Sequence, residues 1–191
     1  MKYEIELNNK NYKKHIHKLK KYIKLCDKNN YYFKVKYSKN LNNDYINNFK
    51  LLEKTINIKN IEKRYSFIYD YVCNYLDKEY IEKNICDFKN DVCIYFRSLK
   101  EYDHKNGCCY SDKRGGLCEN LDKDHCKITS ISCKLYSCPI LREKKINYKI
   151  NNILLLKYFF TIKQKFIIKY SFFKPKSYVM YKLMECNNDK K

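Results

Sequence analysis

The chain has 191 residues, 41 lysines and arginines against 21 aspartates and glutamates, and a formal net charge of +20. That length suffices for one domain, or one domain with a small appended module, and for a hydrophobic core that needs no covalent staple. Eleven cysteines are therefore more than size alone calls for. The excess charge is mostly lysine, because arginine occurs only at Arg64, Arg97, Arg114 and Arg142; alanine and tryptophan are absent, while Lys, Asn, Ile and Tyr dominate. An AT-rich coding sequence produces this composition and spreads lysine over the whole surface. The charge accordingly reads as a solvated surface in preference to a dedicated nucleic-acid face.

Residues 1–85 are expected to form a mostly helical unit with short strands. Tyr12, Ile16, Leu19, Ile23 and Cys26 step by four and three, one face of a helix whose other face carries lysines, with His15 and His17 among them. In "YYFKVKYSK" the alternation places Tyr31, Phe33, Val35 and Tyr37 on one side, a half-buried strand with "YEIEL" as its candidate partner. Asp44 is the expected N-cap of a helix running to about Ile56, and Ile61, Tyr65, Ile68, Val72 and Tyr75 mark a further helix. The tyrosines fit a simple role, rings buried and hydroxyls wet.

At Cys86 periodicity fails. Cys86, Cys93, Cys108, Cys109, Cys118, Cys126, Cys133 and Cys138 fall within 53 residues, where even scattering of eleven would place about 3. All three glycines, Gly107, Gly115 and Gly116, share that window; glycine allows the tight bends needed to aim several sulfurs at one point. The successive gaps contain 6, 14, 0, 8, 7, 6 and 4 residues, so no CxxC occurs. That excludes the zinc-knuckle, thioredoxin and bacterial ferredoxin spacings. The expected module, residues 86–139, is an irregular cage whose thiolates arrive singly around Zn²⁺ or iron, the iron either mononuclear or in an iron–sulfur cluster. Adjacent Cys108 and Cys109 point apart in either regular conformation, so one of them is expected per ion. His104 and His125 stand beside the cluster as candidate nitrogen ligands, weighed against exposed or hydrogen-bonded roles. Cys26, Cys73 and Cys186 lie in apolar, periodic surroundings and read as core residues.

"CENLDKDHCKI" followed by "CKLYSCP" resembles the second half of the zinc- or iron-chelating cysteine-cluster family of the YkgJ type. Cys108-Cys109 would match its cysteine pair, Cys118 and Leu121 the next step, Cys126 and Ile128 the third, and Cys133 to Tyr136 the last. The gap from Cys126 to Cys133 is shorter than the family's, the Arg-Pro is missing, and the leading cysteine is absent unless Cys93 or Cys86 replaces it. The resemblance implies metal binding and leaves the reaction open. A similar arrangement in flagellin lysine methylases implies, as an alternative, an iron–sulfur or S-adenosylmethionine-dependent methyltransferase. Against an enzyme stand the lack of a glycine-rich phosphate loop and of an acid–base pair. A basic nucleic-acid binder with a zinc module is the second alternative.

After Pro139, helical patterning resumes in "INYKINNILLLKYFF", "TIKQKFIIKYSFF" and "KSYVMYKLMEC", so residues 140–191 are expected to be C-terminal helices packing on the rest. Lysines interrupt every apolar run before it reaches the length of about 18 residues that marks a membrane span. A lysine-rimmed aromatic helix of this kind could lie on an anionic bilayer; internal packing is the expectation. No secretory signal pattern opens the chain, which points to a reducing, cytoplasmic setting and thiols that are not paired. The fold class expected is mainly α with minor β.

Overall fold

In a computed structural model of the chain, the described residues are 1–79, 83, 85–87, 89, 121–122, 125–126 and 129–188, the pairs 121–122 and 125–126 and residue 188 as backbone alone. They are mainly helical with little strand, as the periodicity predicts. Two compact units are present, Met1–Ile68 and Tyr69–Lys191.

The first unit begins with strand β1 (Lys2–Leu7) and pairs it in parallel with β2 (Tyr32–Tyr37), in a register running from Lys2 opposite Tyr32 to Leu7 opposite Tyr37. Alternation decides the faces: Ile5, Leu7, Phe33 and Val35 are buried. A parallel pair needs a crossover, and helices α1 (Tyr12–His17) and α2 (Leu19–Lys28) provide it. The single helix expected over this stretch is thus interrupted at Lys18, while Leu19, Tyr22 and Cys26 still form the buried stripe.

Helix α3 (Asn43–Asn57) seals the outer edge of this two-stranded sheet. Asn57 accepts the Phe33 N–H at 2.7 Å and donates to the Phe33 carbonyl at 2.9 Å, and Glu53 accepts the Val35 N–H at 3.1 Å. Four helical residues rise about 6 Å and two strand residues about 6.6 Å, so side chains one helical turn apart meet alternate strand amides. The α3 N-cap is Asn42, whose side chain accepts the Asp44 N–H at 2.8 Å. Asp44, expected as the cap, instead sits in the first turn, because Asn42 holds the extended backbone a cap requires.

Helix α4 (Ile61–Asp77) gives its first eight residues to this unit. Its Arg64, only 3% exposed, donates Nε to the Ile58 carbonyl at 2.7 Å and a terminal nitrogen to Ile56, satisfying the end of α3. The guanidinium also grips both carboxylate oxygens of Asp27 at 2.9 and 2.8 Å, a bidentate pair.

The second unit contains the rest of α4, with Tyr69, Val72, Cys73 and Leu76 buried. Next come a two-residue ladder, β3 (Leu121–Asp122) antiparallel to β4 (His125–Cys126), and two short helices, α5 (Ile131–Lys134) and α6 (Pro139–Glu143). Helices α7 (Leu154–Phe159), α8 (Ile162–Tyr170) and α9 (Lys176–Asn188) complete it. The long helix expected over residues 146–160 shrinks to α7 with a 3-10 turn at Ile150–Asn152 before it. Thr161 starts α8 with a capping box, its hydroxyl accepting the Gln164 N–H while Gln164 accepts the Thr161 N–H. Helix α8 packs against α9 and α5. No helix among the described residues is long and apolar enough to cross a membrane.

Candidate metal centre

Cys133 lies on α5, a four-residue helix too short to stand alone, and its neighbours fasten it on two sides. The Ile131 N–H donates to the Tyr69 hydroxyl at 3.2 Å, and Lys134 pairs with Asp77, both on α4. Ser132 donates its hydroxyl to the Ile168 carbonyl on α8, and Ser130 to Ser171 just beyond it. Ile131, Ser130 and Ser132 are all buried. The Tyr69 hydroxyl, expected to be wet, is inside, and burial pushes its ionisation well above the ordinary tyrosine range.

The Cys133 Sγ, half-buried, accepts the Phe173 N–H at 3.4 Å. Phe173 makes that contact from the left-handed region, φ 58°, where a bulky residue costs about 1–3 kcal/mol. Five residues on, Cys138 is buried at the N-cap of α6 with Pro139 beginning the helix. The buried Ser137 hydroxyl beside it finds no hydrogen-bond partner among the described residues. An unmet hydroxyl of this kind costs about 1–3 kcal/mol.

Two of the three core cysteines are chemically quiet. Burial pushes the Cys73 thiol up to about 12 and raises Cys26 as well, so both stay protonated at neutral pH. Cys186 is buried too. The core reading of Cys26, Cys73 and Cys186 therefore agrees with where the fold puts them.

Of the eight candidate ligands, Cys133 stands on α5 and Cys138 caps α6, Cys86 is half-buried, and Cys126 lies in β4 opposite Leu121 in the ladder. Cys93, Cys108, Cys109 and Cys118, with His104, lie outside the described residues. His125 pairs with Asp122 in the same ladder. Among the described residues no three His, Cys, Asp or Glu side chains gather closely enough to hold an ion. Cys133 and Cys138 form no disulfide.

The other histidines depart in part from expectation. His17 is exposed, as the lysine-rich face implies. His15 is half-buried instead, its Nδ1 2.8 Å from the Tyr22 hydroxyl, and burial followed by Lys18 and Lys14 holds its imidazole below the ordinary value of 6.5. Sequence reading also missed Tyr69, Ser130, Ser132 and Phe173, the groups that position Cys133. Their signal is weak, since a tyrosine 62 residues from Ile131 and a backbone amide 40 residues from Cys133 leave no local pattern. Compared with known proteins, the chain matches no family model, no curated protein and no solved structure.

Proposed function

We propose that the protein is a metal-binding cysteine-cluster protein in which thiolates of the 86–139 segment hold Zn²⁺ or iron. The observation that carries this reading is the crowding of eight cysteines and every glycine into one short stretch that is too polar to bury itself. The pool of ligands is Cys86, Cys93, Cys108, Cys109, Cys118, Cys126, Cys133 and Cys138. The resemblance to the YkgJ-type cluster family supports the same assignment.

The surroundings of Cys133 and Cys138 fit such a role. Backbone amides that donate to sulfur are the usual outer partners of metal-bound thiolates, since they orient the ligand and offset its charge. Phe173 supplies one such donor to Cys133, from a strained conformation. The Ser137 hydroxyl beside Cys138 is a buried polar group still without a partner among the described residues. When bound, Zn²⁺ would organise the segment and stabilise it by on the order of 10 kcal/mol, while iron would add electron transfer. The chain's own part is to fix Cys133 between α4 and α8 and to keep Cys26 and Cys73 out of the competition for metal.

Limited proteolysis of the full chain before and after chelation tests the reading. Chelation is expected to open residues 86–139 to cleavage while the fragments covering α1–α4 and α7–α9 persist. An unchanged cleavage pattern after complete metal removal would refute the assignment.

A further inference from the structure

We propose that the outward face of α8 docks on anionic lipid bilayers. The helix buries a glutamine beside Ile168 and leaves an apolar stripe outside. Its glutamine, Gln164, is 1% exposed and locked, with Nε2 donating to Asn187 Oδ1 at 3.0 Å and to the Leu183 carbonyl of α9 at 3.5 Å. Its Ile162, Phe166 and Tyr170, meanwhile, are 76%, 56% and 58% exposed. Those three step by four and make one stripe along the helix. A surface helix ordinarily turns such a stripe toward the core.

Charge selects the partner. The stretch "KKINYKINNILLLKYFFTIKQKFIIKYSFFKPKSYVMYKLM", from Lys144 to Met184, holds ten lysines and no aspartate or glutamate. With 21 acids in 191 residues, about 4.5 would fall there by chance. Codon bias explains abundant lysine everywhere; it does not explain a local loss of acids. A second copy of the chain would bring the same cationic stretch to the contact, and like charges oppose that association. Single-stranded nucleic acid stacks on open aromatic faces. Here the Phe166 and Tyr170 rings already stack on each other at 5.8 Å, and Lys169 stands 5.0 Å over Tyr170. Ile162, the most exposed of the three, offers no ring at all.

A bilayer surface uses every part of this face. Ile162 and Phe166 enter below the headgroups, the Tyr170 hydroxyl stays at the interface, and Lys169 meets lipid phosphate or carboxylate. The helix lies in the interface and does not span it. This assignment is independent of the metal centre.

The test is co-sedimentation of the full chain with phosphatidylcholine vesicles with and without phosphatidylserine. Binding is expected to the serine-containing vesicles and to weaken as salt rises. Ile162→Ser with Phe166→Ser should weaken it at least about tenfold, and Lys169→Gln about fivefold. Both sites are exposed, so an unchanged circular dichroism spectrum is expected for the double variant. The chain has no tryptophan, so Phe166→Trp installs a single reporter whose emission should shift to the blue only with serine-containing vesicles. Equal binding to both vesicle types, an unshifted emission or full binding by the double variant would overturn the proposal. So would a dimer that the double variant abolishes, or RNA retention at physiological salt that it abolishes, since either would give the face a different occupant.

Discussion

Both units bury an apolar core, and they differ in what their polar side chains join. In Met1–Ile68, apolar residues turn inward in the order their periods dictate, while Asn57 and Glu53 close a sheet edge and the buried Arg64 closes a helix end. In Tyr69–Lys191, polar groups are carried inside: Ser130, Ser132 and Gln164 are buried and bridge separate helices. Aromatic residues of α8 and α9 remain outside. Hydrogen bonds close ends within the first unit, whereas in the second they hold short helices that could not stand alone. Apolar volume fills both units; in the second, short helices are also positioned by buried hydrogen bonds.

Truncating the core of the first unit should have the largest effect. Phe49 is fully buried and meets Tyr12 edge-on at 5.7 Å, so Phe49→Ala is expected to cost about 3–5 kcal/mol in urea unfolding. A loss below about 1 kcal/mol would show that this unit does not depend on apolar volume.

A smaller effect should come from the polar interior of the second unit. Gln164→Leu fills the same space and removes the capping-box acceptor and the bond to Asn187. We expect a loss of about 1–2 kcal/mol, seen as a lower unfolding midpoint. A gain in stability would instead mean that the buried glutamine is tolerated for position alone and would sharpen the contrast with the first unit.

The smallest effect concerns pH. Burial, with Lys18 and Lys14 behind it, disfavours the charged form of His15 in the fold. The unfolded chain regains the ordinary value of 6.5 and takes up its proton first as pH falls. Stability of the first unit should therefore decline as pH drops through about 6.5 and level off below the folded value. His15→Gln should flatten that decline; an identical pH profile for the two proteins would exclude His15 as its source.

Much of this organisation is legible in the sequence, where one face alone is buried. The alternation of Phe33 and Val35 and the spacing of Leu19 and Cys26, and of Tyr65, Ile68 and Val72, predict elements and inward faces that the fold keeps. Local competition is less legible. Asn42 and Asp44 are both good caps two residues apart, and only backbone torsion decides between them. Lys18 interrupts a helix whose pattern runs straight through it. Which apolar residues of α8 face inward has no sequence signature, because the exposed Ile162 and Phe166 and the buried Ile168 are alike in type. At the candidate metal centre, crowding marks the segment, whereas gaps of 0 to 14 residues have no common period and do not name which sulfurs meet. The supports of Cys133 are set by tertiary contacts from α4 and the segment after α8, which no local spacing encodes.

Elemental analysis, with a visible spectrum, of the full protein purified without oxygen tests the metal assignment most directly. The account predicts at least about one zinc or iron per chain, retained through gel filtration and reduced by Cys133→Ser. Protein free of both metals, with its cluster thiols open to titration or joined in pairs as disulfides, would contradict it.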